Sequence, residues 1–171
     1  MPDESVPDLP LRCVFVYGTL RSGGSNDITR LQPPPRCVGT AQVAGVLYHL
    51  GAYPGMVLGG NQWVQGEVYA IEPALEAVLD AIEGLGEDAS DEYIRREVSV
   101  QVQGRAVLCL LYEINPRYVV SVPVIERGDW FAVMNRRQAK SHNVKVEFLN
   151  VVCDRCCIAA FFLDMRNQFL Y

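Results

Sequence analysis

Apolar positions first gather in a short run, Cys13-Val14-Phe15-Val16, which predicts a buried strand. It leads directly into Tyr17-Gly18-Thr19-Leu20-Arg21-Ser22-Gly23-Gly24. Glycines on both sides of Thr19 and Leu20 let the backbone approach a ligand and turn successive N–H groups into one concavity, which holds a carboxylate or phosphate without a cluster of cations. The same residues also read as a plain turn. Two short extended runs follow between Val38 and Leu50, then the turn Gly51-Ala52-Tyr53-Pro54-Gly55. Val64-Gln65-Gly66-Glu67-Val68-Tyr69 alternates as a half-buried strand does, its glycine allowing a neighbour to come close. Glu72-Pro73 opens a helix whose apolar positions, Leu75, Val78, Leu79 and Ile82, follow the i, i+3, i+4, i+7 series, and Gly84 and Gly86 stop it. Glu87 to Glu92 reads as a solvated acidic connector. Tyr93–Val102 and Ala106–Ile114 predict a hairpin around Gln103-Gly104, with the second strand apolar enough to be central. Gly128-Asp129-Trp130 marks a last turn.

These elements place one strand-rich α+β domain over residues 12–134. Residues 1–11, acidic and proline-bearing, read as a disordered leader without the charged and apolar regions of a signal peptide. Residues 135–171 turn basic, then apolar and cysteine-rich, and form a C-terminal extension of unknown role. A chain of 171 residues, 50% hydrophobic and with net charge −5, suffices for one compact domain. Its lysines and arginines are spread out, which argues against a nucleic-acid partner. No apolar stretch reaches the roughly 20 residues that span a bilayer, so no membrane association and a cytoplasmic location are expected; no protein partner is specified. Cys13, Cys37 and Cys109 lie in apolar strand-like runs and read as packing residues. Cys153, Cys156 and Cys157, with His142 upstream, offer one C-x-x-C spacing without the second pair that a zinc site asks for, and no metal is expected in the functional site.

The carboxylate with chemical promise is Glu83. It falls four residues after Leu79 and eight after Leu75, at the edge of the buried stripe. It also stands at the helix C-terminus, where the macrodipole disfavours a negative charge; partial burial and the dipole both push its pKa upward. The other reading is a glutamate at a frayed end that reaches water. Glu72 and Glu76, nearer the helix start, read as surface charges, and Asp80 falls toward the polar flank. His49, the lone histidine of the domain, reads as a core residue. The glycine-rich turn has neither the lysine and spacing of a P-loop nor the spacing of a dinucleotide fingerprint.

Together, Tyr17-Gly18-Thr19-Leu20-Arg21, Tyr53-Pro54, Gly66-Glu67-Val68-Tyr69, Leu79-Asp80-Ala81-Ile82-Glu83-Gly84, Tyr93-Ile94-Arg95, Tyr112 and Gly128-Asp129-Trp130 resemble the γ-glutamylcyclotransferase-like superfamily, including its γ-glutamylamine cyclotransferases and AIG2-like members. The resemblance covers about residues 12–134. It implies a small mixed β-barrel with flanking short helices, and a site between the Tyr-Gly-Thr-Leu turn and Glu83. It also implies that the backbone of Tyr17, Gly18, Thr19 and Leu20 holds the amino-acid end of a γ-glutamyl substrate, with Tyr112 lining the pocket or packing in the core. The reaction so implied is attack of the substrate's α-amine on its own γ-carbonyl, giving 5-oxoproline and a free amine or amino acid, with Glu83 as general acid/base and no cofactor. Ser22-Gly23-Gly24-Ser25 departs from the family, having lost a histidine often present there. The alternative is a non-catalytic module that binds γ-glutamyl or amino-acid-like ligands, with the C-terminal extension joining a partner.

Overall fold

The computed structural model describes residues 12–85 and 91–136. Their elements are β1 (Arg12–Val16), β2 (Arg36–His49), β3 (Pro54–Ile71), α1 (Pro73–Ile82), β4 (Tyr93–Val102) and β5 (Arg105–Ile114), with short 3-10 turns at Ile28–Arg30 and Pro116–Val119. The chain is helical again over 130–136. The leader, the start of the acidic connector and most of the C-terminal extension, including Cys153, Cys156 and Cys157, lie outside the described residues.

One five-stranded sheet runs in the order β2-β3-β1-β5-β4. β1 pairs antiparallel with β3, from Arg12↔Ile71 to Val16↔Glu67, and parallel with β5 through Cys13↔Cys109 and Val14↔Leu110. The fold is therefore α+β with a mixed sheet, as expected. A strand flanked on both edges and covered on both faces must be apolar at every position. Val14 and Val16 pack with Leu75 and Leu79 of α1, while Phe15 and Tyr17 pack with Leu47, Met56, Val64 and Val68 on the other face. Leu75 and Leu79 are fully buried, each worth about 1.5–3 kcal/mol, and they fix α1 against the sheet.

The sheet curls without closing by strand pairing. At one end the Gln103 side chain donates to the Val38 carbonyl at 3.4 Å, drawing the β4–β5 turn against β2. The two extended runs expected between Val38 and Leu50 form one continuous strand, bent at register shifts between Cys37/Gly39 and Ala44/Gly45. Bulges at those points let a single strand follow the curve. Gly66 is required where β3 crosses β1: a Cβ there would lie 2.4 Å from the Phe15 ring. Gln103 and Gly104 both take positive φ, the pairing that a tight hairpin turn asks for. Cys109 is buried and Cys13 partly so, but Cys37 is exposed near the start of edge strand β2 and does not pack in the core.

Candidate active site

The turn that follows β1 and the C-terminus of α1 open onto one cavity of about 280 Å³. Tyr17, Gly18, Thr19, Leu20, Glu83 and Tyr112 all line it, so residues 95 positions apart meet because β1 and β5 are neighbours in the sheet. Gly18 lies against Pro54, where a Cβ would come within 2.7 Å of the proline ring. The turn's carbonyls are used internally: Gly18 O accepts from Arg21 N, Thr19 O from Asn26 N and Leu20 O from Ile28 N. The N–H groups of Gly18, Thr19 and Leu20 donate to no group among the described residues. Three unpaired donors on a turn that lines a cavity have the chemistry to hold an anion.

A part-buried ion-pair network holds the turn from behind. Arg21 Nε meets Glu67 Oε1 at 3.2 Å, and Arg21 Nη1 meets Asp129 Oδ1 at 2.9 Å. Glu67 Oε2 accepts from Ser22 N and from the Tyr69 hydroxyl, both at 2.9 Å. The Arg21 guanidinium lies over the Phe131 ring, 4.4 Å from its centre, and Asp129 caps Phe131 N at 3.1 Å. The Gly-Glu-Val-Tyr and Gly-Asp-Trp segments thus support the Tyr-Gly-Thr-Leu turn instead of lining the cavity.

Glu83 is positioned by the way α1 ends. Gly84 N donates to Ala81 O at 3.2 Å and Leu85 N to Asp80 O at 3.0 Å, with Gly84 at φ 63. This is a Schellman motif, in which a glycine in the left-handed region closes the helix and the residue beyond it packs back onto the core. Leu85 does so against the α1 cluster. Glu83, as the C-cap residue, is held between the last helical turn and Gly84. Burial, and after it the negative charge of Glu92, raises its pKa from 4.5 to about 7. A carboxyl poised there exchanges a proton readily at neutral pH.

Glu92 lines the same cavity and accepts from the Tyr53 hydroxyl at 2.8 Å. The sequence placed Glu92 in a solvated connector; the structure brings it to the site. Four tyrosines surround the two carboxylates. Tyr17 is buried, donates to Tyr112 O at 2.7 Å and accepts from Met56 N at 3.2 Å. Tyr93 donates to Pro54 O at 2.9 Å, and Tyr112 donates to Asp80 Oδ1 at 2.8 Å. Burial, helped by the Glu83 charge, holds the hydroxyls of Tyr17, Tyr93 and Tyr112 well above the usual tyrosine range, so all three keep their protons. Tyr112 is both core and cavity residue.

Glu76, read as a surface charge, and Asp80, on the polar flank of α1, are both ion-paired. Glu76 Oε1 receives Arg12 at 3.0 Å and Arg95 at 3.1 Å, and Asp80 Oδ2 receives Arg95 at 2.7 Å. His49 stands apart from the cavity: its Nδ1 accepts from Gly51 N at 3.0 Å and its ring meets Trp130 edge-on. Among the described residues no cluster of His, Cys, Asp and Glu has the arrangement of a metal site, and no helix is long and apolar enough to cross a membrane.

The model of the family described as "Gamma-glutamyl cyclotransferase, AIG2-like" matches residues 14–132. The chain is similar to the Escherichia coli K12 protein named "Gamma-glutamylcyclotransferase family protein YtfP", at 38% identity over 120 residues, which cover 68% of this chain and 94% of that one. Among solved structures, an AIG2-like protein from Mus musculus aligns at 25% identity with a TM-score of 0.56, over 68% of this chain and 86% of its own. An uncharacterized protein from Pyrococcus horikoshii, at 20% identity and a TM-score of 0.55 over 75% and 97%, shares the fold. Both the matched span and the Tyr-Gly-Thr-Leu and Glu83 segments within it make this chain a member of the γ-glutamyl cyclotransferase, AIG2-like family.

Proposed function

We propose that the protein is a γ-glutamyl cyclotransferase that releases 5-oxoproline from γ-glutamyl compounds with Glu83 as its general acid/base. The observation that carries this reading is the pairing, in one cavity, of unpaired turn N–H groups with a half-buried carboxyl whose pKa lies near 7. The N–H groups of Gly18, Thr19 and Leu20 take the substrate's α-carboxylate. Glu83 takes one proton from the α-ammonium, and the freed amine attacks the γ-carbonyl carbon of the same molecule. A nitrogen–carbon bond forms, closing a five-membered ring; Glu83 returns its proton to the departing nitrogen, and the old carbon–nitrogen bond breaks. The ring nitrogen keeps one hydrogen, and the other proton it sheds ends on the released amine. Well-positioned intramolecular attack reaches effective molarities on the order of 10⁵–10⁸ M, so positioning and one proton carrier suffice.

The test is 5-oxoproline release, followed by mass spectrometry, from a panel of γ-glutamyl amines, γ-glutamyl amino acids and glutathione. The wild-type protein is expected to turn over at least one member, and Glu83→Gln, which keeps the side chain's shape, none. Binding of γ-glutamyl ligands without any 5-oxoproline would overturn the reading in favour of a binding module.

A further inference from the structure

The four tyrosines of the cavity share a property that bears on which groups a ligand meets. Each phenol has one proton to donate. Tyr17 gives its proton to a backbone carbonyl, as does Tyr93; Tyr53 gives its own to Glu92 and Tyr112 to Asp80. Around Glu83 the side chains of these tyrosines therefore offer a ligand oxygen lone pairs and no donor. For Tyr112 the direction is set by a dedicated acceptor. Asp80 stands one helical turn before Glu83 on α1, and its two oxygens are divided: Oδ2 is held by Arg95 at 2.7 Å, leaving Oδ1 to take the Tyr112 hydroxyl at 2.8 Å. Arg95 is in turn fixed by Glu76.

We propose that Asp80 is a positioning residue of this site: by drawing the Tyr112 hydroxyl proton toward itself, it makes that hydroxyl an acceptor for a ligand's α-ammonium. This rests on the cyclotransferase reading for its consequence. An α-amine ready to attack must have its remaining N–H groups held while its lone pair faces the γ-carbonyl; Glu83 removes one proton and Tyr112 accepts from another N–H. With asparagine at 80, the side chain can offer Tyr112 an N–H instead, and the phenol is then free to point its proton at the ammonium, which repels it.

The experiment uses two ligands that differ only in the α-amine, L-glutamine and glutaramic acid, measured by calorimetry on the full chain, alongside turnover of a γ-glutamyl amide. Asp80→Asn is expected to weaken L-glutamine about tenfold, the worth of a hydrogen bond to a charged group, and to leave glutaramic acid unchanged. Added to Tyr112→Phe, it should cause no further loss, and turnover should fall through kcat/KM with its midpoint in pH still near 7. Equal losses for both ligands would mean that Asp80 acts by holding α1 in place, and no loss for either would mean that it does not act on the site; both overturn the proposal, as does a wild-type protein that binds neither ligand. If the wild type binds L-glutamine with the expected Asp80 dependence yet releases no 5-oxoproline, the positioning role stands and the cyclotransferase reading fails.

Discussion

Glu83→Gln should make the protein more stable as it makes it inactive, and the gain should depend on pH. Folding carries this carboxyl into a half-buried place beside Glu92 and raises its pKa from 4.5 to about 7. A folded-state value above the unfolded one means that the folded protein binds the proton more tightly. Its contribution to stability is therefore intact below about pH 4.5, lost progressively as the pH climbs to about 7, and absent above that. At about 1.4 kcal/mol per unit, a rise of this size corresponds to about 3 kcal/mol. Glutamine has nearly the same shape and no charge to desolvate, so its advantage over glutamate should grow by about 3 kcal/mol between pH 4 and pH 8. Urea unfolding of both proteins at the two pH values, followed by tryptophan fluorescence, reads the difference, and the subtraction cancels most of the titration of other carboxylates. A difference that stays constant with pH would refute the argument that Glu83 is held protonated into the neutral range.

Glu92→Gln removes the second cause of the raised Glu83 pKa, and the acid limb of the activity profile should move to lower pH; an unmoved limb would mean that burial alone sets it. Arg21→Ala leaves the part-buried Glu67 carboxylate without its partner and the turn without its brace, and should cost about 1–2 kcal/mol in denaturant unfolding, with substrate affinity falling as well. Gly66→Ala drives a methyl into the Phe15 ring and should lower stability by about 2 kcal/mol in the same assay; a neutral result would mean that β1 and β3 separate more easily than their register implies.

Much of the site was legible because its two halves are local. The strand Cys13–Val16 and the glycines after it announce a buried strand and a permissive turn, and the stripe Leu75, Val78, Leu79, Ile82 puts Glu83 at the edge of the core whatever the helix packs against. The helix ends as its glycine promised, although Ile82, counted in the stripe, is 40% exposed and lines the open cavity. What the sequence hid depends on contacts between distant segments. Glu92 looks like one more acid in a polar loop, and only the start of β4 brings it beside Glu83. Arg21, Glu67 and Asp129 are separate charges along the chain until β1 and β3 pair and the turn at Gly128 closes over them. Asp80 seemed to face solvent because periodicity says which side of a helix is apolar, not that β4 and β5 will set Arg95 and Tyr112 against the other side. The edge strand β2 read as two pieces because its bulges interrupt the alternation without ending the strand.

In the proposed reaction a single half-buried carboxyl, poised near neutrality, carries the proton of an intramolecular attack. The most direct test is the rate of 5-oxoproline release from a γ-glutamyl amide measured from acid to mildly alkaline pH. kcat/KM should rise with pH through a midpoint at about 7, as Glu83 becomes the free base, and Glu83→Gln should release nothing at any pH. Release that is flat across neutrality, or that survives in Glu83→Gln, would contradict it.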